Sequence, residues 1–248
     1  MRGQRLAWSA GGALAAIAAA QIGPAVTVIA TQRPWLWPAL AGQGASDHVA
    51  LTIDDGPDPE ATPRFLEVLT ARGAHATFFM LGAAVAKSPG LAADVAAAGH
   101  EIGVHGWNHR PLPRLGPRAT YDVLARARDR VAAATGHVPR LFRPSYGVLT
   151  GSALAAARRL ELTPVLWTAW GREWRPGATT RSVYATLARG LGGGGTVLLH
   201  DSDRYAPEGS WRAGLGAVPL LLDECASKGW RVGPLREHGT RWNRAHIA

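Results

Sequence analysis

The sequence predicts an α/β protein built on a parallel sheet. Two observations lead there. From His48 onward, apolar runs of strand length alternate with longer segments of helical periodicity. Nearly every polar cluster, moreover, follows directly on one of those runs. Seven strands, each spaced by a helix, need a sheet covered on both faces. Periodicity does not separate a distorted or incomplete (β/α) barrel from an open doubly wound sheet. In either one the carboxyl ends of the strands converge on one face, where sites form.

The first strand is expected at residues 49–53. A helix follows over 60–71, with Phe65, Leu66 and Leu69 on one side. The second strand is 77–81. A helix over 91–98 is closed by Gly99, and the third strand is 102–104. The segment 120–135 places Leu124, Ala127 and Val131 in helical register and stops at Gly136. A brief fourth strand, 141–142, precedes a helix over 152–160 and a fifth strand over 164–167. Helix 183–189 runs into four glycines, strand six is 196–199, helix 217–227 follows, and strand seven is 230–232.

Ahead of this pattern, Arg2 and Arg5 precede a stretch, residues 6–32, that carries no charge. It exceeds the roughly 20 residues that cross a bilayer as a helix. It reads as an uncleaved anchor with the rest of the chain outside, as a cleaved secretory leader, or as a buried or surface-lying helix. Gln21, Gly23 and Pro24 interrupt its apolar character. The expected organisation is an amino-terminal apolar helix over 1–34, a linker over 35–47, one domain over 48–235 and a loosely packed basic tail over 236–248.

Of 248 residues, 47% are hydrophobic, enough for a sizeable core. The net charge is +9, almost all from scattered arginines. With neither a zinc-finger spacing nor a basic helix of aligned arginines, only that charge speaks for nucleic acid, and no nucleic-acid partner is expected. Cys225 is the only cysteine, so no intrachain disulfide forms.

Four clusters carry chemistry. After strand one stands Asp54-Asp55-Gly56-Pro57. Neighbouring carboxylates in extended chain point to opposite sides, so one can bind a metal while the other faces a water. The same residues also suit a capped turn. After strand three comes His105-Gly106-Trp107-Asn108-His109. Two histidines four apart on one helical turn can chelate an ion, and a carboxylate completes a three-ligand set with an open position. No glutamate base of the zincin type accompanies them, which leaves Asp54 or Asp55 as the base. After strand four, Arg143-Pro144-Ser145-Tyr146-Gly147 offers a cation for a carboxylate and turn amides for an oxyanion. After strand six, His200 stands at the core rim, where it could protonate a leaving group. Trp107, Trp167, Trp170 and Trp174 follow strands and are candidates for stacking on sugar rings.

Together, Thr52-Ile53-Asp54-Asp55-Gly56-Pro57, His105 to His109, Arg143 to Tyr146 and Leu198 to His200 resemble, in order, motifs of the NodB-homology polysaccharide deacetylases, carbohydrate esterase family 4. The resemblance covers about residues 49–232. It implies a distorted seven-stranded (β/α) barrel and removal of N-acetyl groups from an N-acetylglucosamine polymer such as peptidoglycan or chitin. It implies one divalent cation, zinc or another first-row ion, on Asp55, His105 and His109. Asp54 is then the general base, oriented by Arg143. The Tyr146 amide holds the oxyanion, and His200 is the general acid.

The fourth motif departs from the family. Where the family closes a segment with Asp-Trp, this chain has Glu173-Trp174, and Trp170 or a neighbour occupies an earlier Asp position. Either Glu173 or Asp201 is left to support His200. That departure keeps open an O-acetyl esterase of the xylan type, and beside it a silent glycan-binding protein of the envelope. The polymer itself is not legible.

Overall fold

In the computed structural model, which describes residues 16, 18–28 and 33–239, the chain forms a wholly parallel sheet with helices between its strands. The order is β1 (His48–Asp54), α1 (Ala61–Ala71), β2 (Thr77–Met80), α2 (Gly82–Lys87), α3 (Pro89–Ala97), β3 (Glu101–Val104) and α4 (Pro117–Thr135). Then come β4 (Leu141–Phe142), α5 (Gly151–Arg159), β5 (Thr163–Pro164), β6 (Ala169–Trp170), α6 (Thr180–Ala188), β7 (Thr196–His200), α7 (Trp211–Ser227) and β8 (Arg231–Gly233). Every residue of β1 is buried, as a strand covered on both faces requires. Phe65 and Leu69 of α1, Val95 of α3 and Val218 and Leu221 of α7 share one core with Leu51, Ile53 and Leu199 of the sheet.

The strand order is β5-β4-β3-β2-β1-β7-β6, with β8 paired to the start of β1. β1 thus lies between β2 and β7, the neighbour order of a (β/α) barrel opened between β5 and β6. This is an α/β half-barrel, consistent with the distorted (β/α) barrel among the readings that periodicity left open.

The opening also corrects the expected fifth strand. Residues 164–167 do not form one strand. Thr163–Pro164 pairs with β4 at one edge, and Ala169–Trp170 pairs with β7 at the other. The chain between them crosses the gap, tied by Val165 N–H to Phe142 O at 2.9 Å and Thr168 N–H to Thr196 O at 2.9 Å. Eight strands result where seven were expected. Periodicity carried no sign of α2, six residues, half of them alanine, too few to show an apolar period.

At the amino end, most of residues 6–32 lie outside the described residues. Of the part described, residues 18–22 are helical, and Gly23–Val28 tighten into a 3-10 turn at Pro24. Gln21 Oε1 accepts hydrogen bonds from Ser152 N–H at 2.9 Å and Ser152 Oγ at 2.8 Å, so this end rests on α5. Among the described residues no helix is long and apolar enough to cross a membrane. Residues 18–28 do not form one unbroken α-helix.

The expected linker and tail are also more ordered than their composition suggests. Ala41 is buried, and Leu40 O accepts from Leu166 N–H at 2.7 Å. Past β8, Leu235–Glu237 make a 3-10 turn, and buried His238 meets His48 Nδ1 to Nδ1 at 2.8 Å. Residues 240–248 lie outside the described set.

Candidate active site

The ends of β1, β3, β4 and β7 bring the predicted clusters onto one rim. Asp55 follows β1 with φ of 81°, a left-handed turn that aims its carboxylate inward. His105 N–H continues the ladder onto Met80 O at 2.8 Å, which fixes the first histidine. The second is delivered by a bend, not by the helical turn expected from the four-residue spacing. Gly106 at φ 87° reverses the chain, and His109 itself sits at φ 52°. The two rings still converge, because a loop with two left-handed residues returns as tightly as a helix.

Asp55 Oδ1 stands 3.4 Å from His105 Nε2 and 3.6 Å from His109 Nε2. Ligands about 2.1 Å from one cation in tetrahedral array are roughly 3.4 Å apart. That oxygen is buried and has no hydrogen-bond partner. His105 Nδ1 donates to Arg143 O at 2.8 Å, which leaves Nε2 with its lone pair free to ligate. Burial lowers both imidazoles to about 3, so both are neutral, the ligating form. Burial, with Asp54 nearby, pushes the Asp55 carboxyl up to about 7. A carboxylate so costly to charge alone suits a cation beside it. These three residues form the one group of metal-binding geometry among the described residues, and the donor set fits a divalent ion.

Asp54 pairs in register with His200 across β1 and β7. Its Oδ1 accepts from Arg143 Nη1 at 2.8 Å, and the same Nη1 reaches Thr52 Oγ1 at 2.7 Å. Arg143 is fully buried. Its Nε and Nη2 donate to Val165 O at 3.2 Å and Leu166 O at 2.8 Å, carbonyls of the segment that crosses the gap. The guanidinium therefore both closes the barrel and holds Asp54. Burial pushes the Asp54 carboxyl above its ordinary range, and Arg143 opposes that rise. Arg143→Ala leaves this carboxylate buried and unpaired. It is expected to cost about 3–5 kcal/mol of stability, measured by urea unfolding; an unchanged midpoint would rule the pairing unimportant.

His200 Nδ1 bonds Glu173 Oε1 at 2.8 Å. Burial alone would depress this imidazole, but the Glu173 charge and hydrogen bond outweigh it and raise it to about 9. Of the two candidates to support His200, Glu173 is the one in contact. Gly171 makes room for its carboxylate: a Cβ there would lie 2.6 Å from Glu173 Oε2. Asp201 points elsewhere. Its carboxylate accepts from Thr62 Oγ1 and packs against Gly56, tying the end of β7 to α1. Asp58, in the first cluster, caps α1 by accepting from Ala61 N–H at 3.1 Å.

Asp54, Asp55, His105, His109, Glu173 and His200 line a cavity of ≈ 210 Å³ with Trp167, Trp170, Trp174, Leu198, Tyr146 and Tyr205. Trp170 and Trp174 stand where the sequence suggested, and Trp174 meets the His200 ring edge-on at 5.3 Å. Trp107 does not line the cavity, against expectation. Its ring packs over Gly82 with the Arg126 guanidinium 3.5 Å from its centroid, because the bend at Gly106 turns it toward α2 and α4. Tyr146 adopts φ 60°, ψ 8°, which turns its backbone at the rim and leaves its ring half exposed. Tyr205 was missed. It lies in an irregular loop without periodicity, and its one signal was an aromatic residue five positions past His200.

The polysaccharide deacetylase profile matches residues 41–165. A chitooligosaccharide deacetylase from Bradyrhizobium sp. (strain ANU 289) is 34% identical over 194 residues, 75% of this chain and 88% of that protein. A peptidoglycan-N-acetylglucosamine deacetylase from Listeria monocytogenes is 31% identical over 167 residues, 66% of this chain. The match spans only 34% of that longer relative. A crystal structure of a peptidoglycan N-acetylglucosamine deacetylase, bound to a naphthalenyl N-oxidanyl-benzamide, superposes with a TM-score of 0.76 at 27% identity. It covers 83% of this chain and 95% of that one. With half its length matched and the motif residues gathered on one rim, the chain belongs to the polysaccharide deacetylase family.

Proposed function

We propose that this protein hydrolyses N-acetyl groups on a glycan containing N-acetylglucosamine, with a divalent ion, zinc or another first-row metal, held by Asp55, His105 and His109. The observation that carries the reading is the unpartnered Asp55 oxygen facing two neutral imidazoles, with Asp54 on one side and His200 across the same rim. The bound ion supplies Lewis acidity toward water and the acetyl oxygen. Asp54, anchored by Arg143, accepts the proton of the attacking water. The Tyr146 amide meets the charge that grows on the acetyl oxygen. His200 donates its proton to the departing amine, while Glu173 holds the opposite ring nitrogen. The apolar wall of Trp167, Trp170, Trp174 and Leu198 excludes bulk water and offers faces to a sugar ring.

An amine leaves only when protonated, so a raised His200 favours the N-acetyl reading over O-acetyl ester hydrolysis. Glu173 supplies the support that the altered motif seemed to lack. The relatives' substrates, a chitooligosaccharide and peptidoglycan N-acetylglucosamine, are N-acetylated glycans. An envelope glycan would place the domain outside the cytoplasmic membrane, in keeping with residues 6–32 serving as an export signal or anchor. The test is acetate release from N-acetylglucosamine oligomers, peptidoglycan and O-acetylated xylan side by side. Release confined to xylan would defeat the N-acetyl assignment.

A pH prediction follows from Glu173. His200 must be protonated to act as the acid, so activity falls as pH rises through its pKa of about 9. Glu173→Gln keeps an acceptor but removes the charge. The alkaline limb of kcat/KM is expected to move down by about 1–3 pH units. A limb that stays in place would remove His200 from the acid role.

A further inference from the structure

The two histidines of the proposed ligand set are held in different ways. His105 Nδ1 has a carbonyl partner, the usual device for fixing a ligating ring. His109 Nδ1 is buried and has no partner. Its ring is instead gripped between two tyrosines. Tyr205 lies nearly parallel to it, centroids 4.6 Å apart at 25°, and Tyr146 leans on it at 4.3 Å and 58°. Tyr205 comes from the loop after β7, distant in sequence from the histidine bend.

That loop is built to present the ring. Asp203 Oδ2 accepts from Gly209 N–H at 2.6 Å, and Asp203 O accepts from Ala206 N–H at 2.9 Å. Ser202 Oγ accepts from Arg204 N–H at 3.2 Å. Tyr205 Oη reaches back to Asn108 O at 3.3 Å, the carbonyl just before His109. The ring thus touches both the imidazole and the backbone that carries it. His109 also needs outside help, since its left-handed φ of 52° is disfavoured for a residue with a side chain.

We infer that Tyr205 is a positioning residue of the metal site: its stacked ring fixes the His109 imidazole where a hydrogen bond fixes that of His105. The inference rests on the proposed ligand set and names a part of it that the sequence motifs do not contain. It makes the loop 201–210 part of the metal centre as well as a wall of the cavity. Tyr205 is 44% exposed, so replacing it opens no core cavity.

The test is metal affinity, measured on the full chain by titrating Zn²⁺ against a chromophoric chelator, with the visible spectrum of the Co²⁺ form as a second readout. Tyr205→Ala is expected to bind Zn²⁺ about tenfold more weakly, the lower end of losses seen when the support of a ligating histidine is removed. Its Co²⁺ bands should shift or broaden as the His109 ring gains freedom. Tyr205→Phe keeps the stack and loses only the long hydrogen bond, so its affinity should return to within about twofold of the parent. Tyr205→Leu, which keeps bulk without a flat ring, should follow the alanine variant and serves if that variant is poorly folded by circular dichroism. Parent-like affinity and spectrum in both the alanine and leucine variants overturn the inference. Failure of the parent itself to bind Zn²⁺ or Co²⁺ would instead overturn the ligand set.

Discussion

Asp54→Asn should cut kcat/KM by about 10²–10⁴-fold, the range of lost acid–base help, while the protein still takes up a divalent ion. The asymmetry follows from the two carboxylates' positions. Asp54 spends one oxygen on Arg143 and lies 3.8 Å from His105 Nε2 through the other. Asp55 makes the closer approaches, 3.4 and 3.6 Å, to the two imidazoles. Asparagine keeps a carbonyl for Arg143 but cannot take a proton from water. It also leaves the guanidinium buried without a counter-charge, so a thermal melt must accompany the kinetics. A folded, metal-loaded variant with undiminished turnover would remove Asp54 from the base role.

Removing the metal should have a comparable or larger effect. Chelation is expected to abolish acetate release, with zinc, cobalt or manganese restoring it to different extents. Losing Lewis acidity worth about 4 kcal/mol or more corresponds to roughly 10³-fold in rate. Asp55→Ala should reproduce that loss and resist rescue by excess ion, because two imidazoles alone leave the site one ligand short. Its outcome separates from that of Asp54→Asn through metal content. Asp54→Asn should retain the ion and Asp55→Ala should not. Metal-free protein, verified by elemental analysis, that still turns over at the parent rate would end the metal-dependent reading.

Much of the site was legible because its residues are tied to local chain signals. Asp54, Asp55, His105, Arg143 and His200 each stand within a residue or two of a strand end. Parallel strands put such positions on one face whatever the details of closure. The fourth-motif question was not legible in the same way. Glu173 and Asp201 were equivalent on paper. Only packing decided between them, through the space left by Gly171 and the Thr62 hydroxyl that draws Asp201 away. Trp107 shows the converse: it lies inside a motif but packs under Arg126, because a bend at one glycine sets its direction.

By itself the sequence determined the alternation of strand and helix and the parallel sheet, which depend on periodicities along the chain, while the proposed metal ligands came from the resemblance of its motifs to those of the family. The tertiary structure alone decided where the barrel opens, that Arg143 spans the gap while holding Asp54, that Glu173 supports His200, and that Tyr205 stacks on His109. Each of those contacts joins residues more than twenty positions apart. No local pattern fixes the distance between such residues until the sheet sets their places.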